Sequence, residues 1–162
     1  MFEFIVLISG CSPKGLGAES ARVITLHSPE LLILAGRSLP SLQATVEGLE
    51  EVSPGVKFQT LELDLAHQAS IRNAAAKVNS IGKAIDVLIN NARIIASPFS
   101  KTIDGIESQF GTNHIGHFLF TNLIINRLFT VSNGGRIINV TSSVYNVGSV
   151  RFDDVNFEVC SI

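Results

Sequence analysis

Apolar residues in this chain cluster in short runs separated by longer stretches of helical periodicity. The runs fall at residues 4–9, 31–35, 57–63, 85–89 and 136–140, with helix-like segments at 16–27, 39–50, 70–81 and 105–129. Runs such as Phe4-Ile5-Val6-Leu7-Ile8 and Leu31-Leu32-Ile33-Leu34-Ala35 lack in-out alternation, the pattern of strands covered on both faces. Strand and helix alternate, which predicts a parallel sheet sandwiched between helices. With right-handed crossovers the five units form an α/β, Rossmann-like doubly wound sheet of order 3-2-1-4-5. Its ligand crevice lies at the carboxyl ends of strands 1 and 4.

The residues expected at those strand ends are 10–17, Gly36-Arg37, Asp64, Asn90-Asn91 and Thr141-Ser142-Ser143. The first of these segments carries the strongest chemical signal. Ile8-Ser9-Gly10-Cys11-Ser12-Pro13-Lys14-Gly15-Leu16-Gly17 joins an apolar strand to an alanine-containing helix, the context in which a glycine loop cradles a dinucleotide pyrophosphate. Gly10 and Gly15 are expected to turn the backbone sharply and bring amides to phosphate oxygens, and Gly17 to let the helix pack close. The helix N-terminus, from Leu16, then offers free amides and partial positive charge.

Composition narrows the class. A chain of 162 residues with 46% apolar residues and a mean hydropathy of +0.36 folds as one globular domain rather than remaining disordered. Twelve basic and fourteen acidic side chains, without a basic stripe, argue against a nucleic-acid partner. No run reaches the roughly 18 apolar residues of a membrane span. The apolar start carries Glu3 and lacks a basic leader, so it reads as a strand and not a signal peptide. Cys11 and Cys160 have no metal-ligand spacing, which suggests reduced thiols in a cytoplasmic protein and no metal site. His114 and His117 stand three apart without a third ligand, and packing against the sheet is their expected role.

The glycine loop, Asp64, Asn90-Asn91-Ala92, Asn113 and Ser142 follow, in order and spacing, the motifs of the short-chain dehydrogenase/reductase family, which the chain resembles over almost its whole length. Stretches such as Asp104-Gly105-Ile106-Glu107-Ser108-Gln109-Phe110-Gly111-Thr112-Asn113-His114 are similar to its retinol-dehydrogenase-like and WW-domain-oxidoreductase-like members. The resemblance implies hydride transfer between a nicotinamide cofactor and the carbonyl or secondary alcohol of a small molecule. It also implies roles for single residues. Asp64 would bond the adenine ring, or else cap the next helix. Asn90 and Asn91 would lie beside the adenosine ribose. Asn113 would bend its helix and hold a relay water, or merely mark a kink. Ser142 would bond the substrate oxygen, unless Thr141-Ser142-Ser143 is an ordinary polar loop.

Charge points to NADP(H). An NAD-selective site usually ends strand 2 with a carboxylate for the ribose 2′-hydroxyl, whereas this chain has Arg37 there, whose planar fork suits a 2′-phosphate. Lys14 resembles the second basic residue of NADP-dependent members. The alternative is that Arg37 caps a surface turn and Lys14 is simply solvated. Arg93 stands where the family's Asn-Asn-Ala-Gly turn has its last glycine, adding bulk and charge beside the cleft.

The resemblance also implies a catalytic tyrosine followed four residues later by a lysine. Tyr145, the one tyrosine, is followed at that distance by Ser149, and no lysine occurs after Lys101. The chain therefore reads as a reductase truncated before the Tyr-x-x-x-Lys helix, the last strands and the substrate loop. Strand 5 should then be an exposed edge, and part of the surface by which the family forms homo-oligomers would be lost. Two functions are expected to compete: an NADP(H)-dependent reductase, or a non-catalytic nucleotide-binding remnant or interaction module.

Overall fold

A computed structural model describes residues 4–95, 98–131, 134–146 and 148–158, with backbone alone for 144 and 145. Cys160 and the Tyr145 side chain lie outside the described residues. Five parallel strands, β1 (Ile5–Ser9), β2 (Leu31–Gly36), β3 (Lys57–Glu62), β4 (Val87–Asn90) and β5 (Arg136–Asn139), form one sheet of order 3-2-1-4-5, as the apolar runs predict. The direction of winding reverses between β1 and β4, which pair Val6 with Val87 and Ile8 with Ile89. Both strands end in polar residues, Ser9 and Asn90, at the mouth of that crevice.

The helices α1 (Leu16–Thr25) and α2 (Leu39–Val52) lie on one face, and α3 (Gln68–Ser80) and α5 (His117–Phe129) on the other. Alternate residues of each strand serve the two faces. Val6, Ile8, Leu32 and Leu34 pack with Ala21, Leu42, Val46 and Leu49. Leu7, Ile33 and Ala35 pack with Ile71, Ala74, Phe120 and Ile124. Both sets are apolar, which is why the strands read as unbroken runs. The end strand β5 differs: all four of its residues are exposed, with Ile137 and Ile138 at 40% and 45%. The edge expected from the sequence is there, in the sheet of the described residues.

Element ends depart locally from the periodicity. α1 stops at Thr25 because the next amides fold back, Leu26 N–H donating to Val23 O and His27 N–H to Ile24 O, before Ser28 turns left-handed at φ 53°. The predicted long helix does not begin at Gly105, whose φ of +80° marks a turn. It begins as the single turn α4 (Ser108–Phe110), capped by the Glu107 carboxylate, which accepts from Gln109 N–H at 2.9 Å and Phe110 N–H at 2.7 Å. It then widens into a π-turn, Gly111–Gly116, before continuing as α5. No helix among the described residues is long and apolar enough to cross a membrane.

Candidate functional site

Two adjoining clefts open at the carboxyl edge of the sheet. The smaller, of about 300 Å³, runs from the glycine loop past the ends of β2 and β3, and its lining includes Gly10, Leu16, Arg37, Asn91 and Thr112. The larger, of about 780 Å³, is framed by Asn90, Asn113, His117, Asn139 and Ser142. Ala92, Arg93 and Ile94 line both and form the wall between them.

The glycine loop is held open by close approaches. Gly10, at φ +76°, sits where a Cβ would lie 2.6 Å from Ala92 Cα. A Cβ on Gly17 would lie 2.4 Å from Gly10 O and 2.6 Å from Asn91 Nδ2. These two glycines let loop, helix and the turn after β4 touch. Gly15 acts differently from expectation. It is the N-cap of α1 in an extended conformation (φ −87°), and the left-handed residue is Lys14, at φ 62°. With no side chain, Gly15 makes no cap hydrogen bond, so the first amides of α1 remain available to an anion. Cys11, in this loop, is fully buried, and burial pushes its thiol up to about 12. It is a packing residue.

Arg37 is exposed and lines the smaller cleft, whereas Lys14 lines a groove between α1 and α2 with Arg22 and Gly48. The structure therefore does not bring the two basic residues into one cleft. Asp64 is half-buried, and its Oδ1 accepts from Ala66 N–H at 3.0 Å while Ser70 Oγ accepts from the Asp64 N–H. It does not cap α3, whose N-cap is His67. The short side chain closes a turn on its own backbone two residues on, which competes with capping at longer range. Its neighbours Leu63 and Leu65, not Asp64 itself, line the cleft.

Asn91 is a brace. Its Nδ2 donates to Ser9 O at 2.9 Å and to Gly10 O at 3.1 Å, locking the β4 turn to the glycine loop. Asn90 is buried and donates to Thr121 Oγ1 and Asn139 Oδ1, and its own Oδ1 has no hydrogen-bond partner among the described residues. Thr112 Oγ1 is likewise buried and unpartnered on the wall of the smaller cleft. Among the described residues these two are the buried side-chain atoms without a hydrogen-bond partner, an arrangement that is costly.

Asn113 lies in the π-turn, which shifts the helical ladder by one residue. Its Oδ1 accepts from Ile94 N–H and its Nδ2 donates to Ile94 O, both at 2.9 Å, so it clamps the wall between the clefts. Ser142, half-buried just beyond β5, lines the same larger cleft. His117 does more than pack. It is buried, its Nε2 lies 3.0 Å from Ser9 Oγ and its Nδ1 3.0 Å from Asn113 O. Burial holds it below the usual histidine range, and the charge of His114 acts in the same direction. Ser9 was not singled out by the sequence, although a hydroxyl closing an otherwise apolar strand beside a glycine loop is a readable signal.

The glycine cradle and the N-terminus of α1, which no side chain caps, have the chemistry to take the phosphates of a nucleotide at the smaller cleft. Comparisons with known proteins agree with this geometry. The family model for short chain dehydrogenases matches residues 4–153. Human retinol dehydrogenase 14 is 47% identical over 165 aligned positions, covering 94% of this chain and 48% of its own. Human retinol dehydrogenase 13 is 36% identical over 153 positions, covering 94% and 45%. The chain thus spans about half the length of these relatives. Among solved structures, an uncharacterized protein from Mycobacterium paratuberculosis superposes with a TM-score of 0.84 at 34% identity, over 98% of this chain and 53% of that one. A short-chain dehydrogenase from Sphingobium yanoikuyae in complex with NADPH superposes with a TM-score of 0.70 at 31% identity, over 87% and 54%. With the sheet order, the glycine cradle and the Asn91 brace, a match to 4–153 means that this chain belongs to the short-chain dehydrogenase family.

Proposed function

We propose that this chain forms the cofactor-binding and substrate-orienting part of an NADP(H)-dependent reductase acting on a small carbonyl compound or secondary alcohol. The observation that carries the cofactor choice is the end of β2. Arg37 lines the smaller cleft, and none of its lining residues among those described is a carboxylate. A ribose 2′-phosphate there meets a guanidinium fork and no repelling charge. Gly10, Gly17 and the first turn of α1, from Leu16, would hold the pyrophosphate. Asn90 and Asn91 would hold the turn beside the adenosine ribose. Asp64 would reach the adenine only by giving up its local turn, and Lys14 would assist from outside the cleft.

A nicotinamide, when bound, supplies or accepts the hydride. The residues of this chain then orient. Ser142 offers a hydroxyl to the substrate oxygen in the larger cleft, and Asn113 holds the wall against which the reacting ring would lie. The proton-transfer pair that the family resemblance implies is not among these 162 residues, since Tyr145 is followed four residues later by Ser149 and no lysine succeeds Lys101. A second reading for these 162 residues by themselves is binding of cofactor without turnover.

Fluorescence titration with NADPH and NADH tests the first statement. NADPH is expected to bind at least about tenfold more tightly, a difference of about 1.4 kcal/mol, and Arg37→Asp to abolish or invert the preference. Equal affinities would remove the NADP assignment. NADPH oxidation with a panel of ketones and aldehydes separates the readings, steady turnover by this chain excluding the second.

A further inference from the structure

The polar centre of the molecule is a chain of hydrogen bonds whose direction can be worked out atom by atom. Ser9 Oγ lies 3.0 Å from both Asn91 N and Ala92 N. Each is an amide donor, so both hydroxyl lone pairs are occupied. The single hydroxyl proton is left to donate, and it has two acceptors in reach, His117 Nε2 at 3.0 Å and Ile89 O at 3.5 Å. The nearer one is the better hydrogen bond. His117 Nε2 is then an unprotonated acceptor, and the ring proton sits on Nδ1, 3.0 Å from Asn113 O, a carbonyl that can only accept. In a regular α-helix that carbonyl would take the main-chain N–H of His117, but here the N–H goes to His114 O.

We propose that His117 is the positioning residue of this site: its imidazole, with the proton on Nδ1, ties the Asn113 carbonyl to the Ser9 hydroxyl and holds the Asn113 turn in register with the Asn91–Ala92 turn. The proposal rests on reading the two clefts as a cofactor and substrate site. It explains why a histidine stands at the seam. A second proton, on Nε2, would point at a hydroxyl oxygen already accepting twice, so the charged ring breaks the chain at Ser9. Burial disfavours charge on the ring and the charge of His114 adds to that, while the Asn113 carbonyl at Nδ1 opposes them, and burial prevails. β1 and β4 face it with Ser9 and the Ile89 carbonyl, its own helix with His114, and the cleft it lines contains Arg93 and no carboxylate among the described residues. His117 therefore connects the cofactor-side turn to Asn113 while neutral and disconnects them when protonated.

Asparagine and glutamine divide the two bonds between them, because an Asn amide can stand near Nδ1 and a Gln amide near Nε2. The test uses the full 162-residue chain and two readouts. Ring-nitrogen NMR of His117 is expected to show Nε2 unprotonated and Nδ1 protonated at pH 7, which needs no ligand. NADPH titration is expected to weaken about tenfold in His117→Phe, the scale of one lost buried hydrogen bond, and to return within about threefold of the original in His117→Gln, which keeps the Ser9 bond. The affinity of the original chain should fall on acidification below the ordinary histidine pKa of about 6.5, and that of His117→Gln should not. A merely structural histidine would not give that difference in pH profile. A proton on Nε2, or a phenylalanine variant binding NADPH as the original does, overturns the proposal. If the original chain binds no NADPH, the cofactor reading fails, and the ring-nitrogen spectrum still decides the role of His117.

Discussion

Gly17→Ala and Gly48→Ala add the same methyl group to two helices, and the structure assigns them opposite signs. At Gly17 the new carbon would sit 2.4 Å from Gly10 O, 2.6 Å from Asn91 Nδ2 and 3.0 Å from Gly10 C. Ordinary contact starts near 3.4 Å, so α1 must retreat by about an ångström, or the loop must yield. The loop is tied: Gly10 N–H donates to Ala35 O at 2.7 Å, and Asn91 Nδ2 donates to Ser9 O and Gly10 O. Overpacking of this kind costs about 1–3 kcal/mol, and losing one Asn91 bond costs about 1 kcal/mol more. The better helix propensity of alanine returns about 1 kcal/mol. The net is a loss of about 2 kcal/mol, or roughly 6 °C in Tm for a domain of this size.

Gly48 is exposed within α2, and a Cβ there meets nothing within 4 Å. Only the propensity gain remains, about 0.5–1 kcal/mol of added stability. Thermal melts of the two variants beside the original chain measure both signs. Gly17→Ala should in addition lose most NADPH affinity, because the displaced helix carries the amides proposed to hold the pyrophosphate. A Gly17→Ala variant as stable as Gly48→Ala, with NADPH binding intact, would refute the close packing of loop, helix and β4 turn as the basis of the site.

Stability should fall as pH drops below the ordinary histidine value of about 6.5. His117 is held below that value by burial, so the unfolded chain binds the extra proton first and stability is lost as pH falls below it. Urea melts over that range should show a smaller slope in His117→Gln. Ile138→Lys, on the uncovered edge strand where Ile138 is 45% exposed, should suppress concentration-dependent light scattering while leaving Tm within about 2 °C. The Cys11 thiol, buried and pushed up to about 12, should resist alkylation at pH 8 in the folded chain and react only on unfolding, as peptide mapping of the labelled protein would show.

What could be read from the sequence was what depends on near neighbours or on averaged burial. The runs at β1 and β2 announce strands because both faces are covered, and the glycine loop from Gly10 and the Asn90-Asn91 pair announce the crevice because they close two central strands. The start of the long helix was misplaced because Gly105 resembles an ordinary helix-entry glycine, whereas the Glu107 carboxylate performs the capping. The π-turn has no side-chain signature of its own; Asn113 hints at it only as a poor helix former. Lys14 and Arg37 look like a pair in sequence, but which face of α1 the loop presents depends on the left-handed turn at Lys14. The role of His117 was hidden for a plainer reason, since its partner Ser9 lies 108 residues away.

The close contact of the long helix explains how one element serves both clefts. A Cβ on Gly116 would lie 2.4 Å from Leu65 O, so this glycine lets the π-turn press against the loop leaving β3. That approach sets the depth at which the preceding residues sit. Successive side chains of a helical turn point in different directions, and at this depth Thr112 lines the smaller cleft while Asn113 clamps Ile94 at the boundary with the larger one. The same turn thus lines the cleft proposed for the cofactor and closes the cleft proposed for the substrate. A shift of this segment cannot alter one without the other, which is the physical reason for anchoring it twice: from outside by Gly116 against Leu65, and from within by His117 against Ser9.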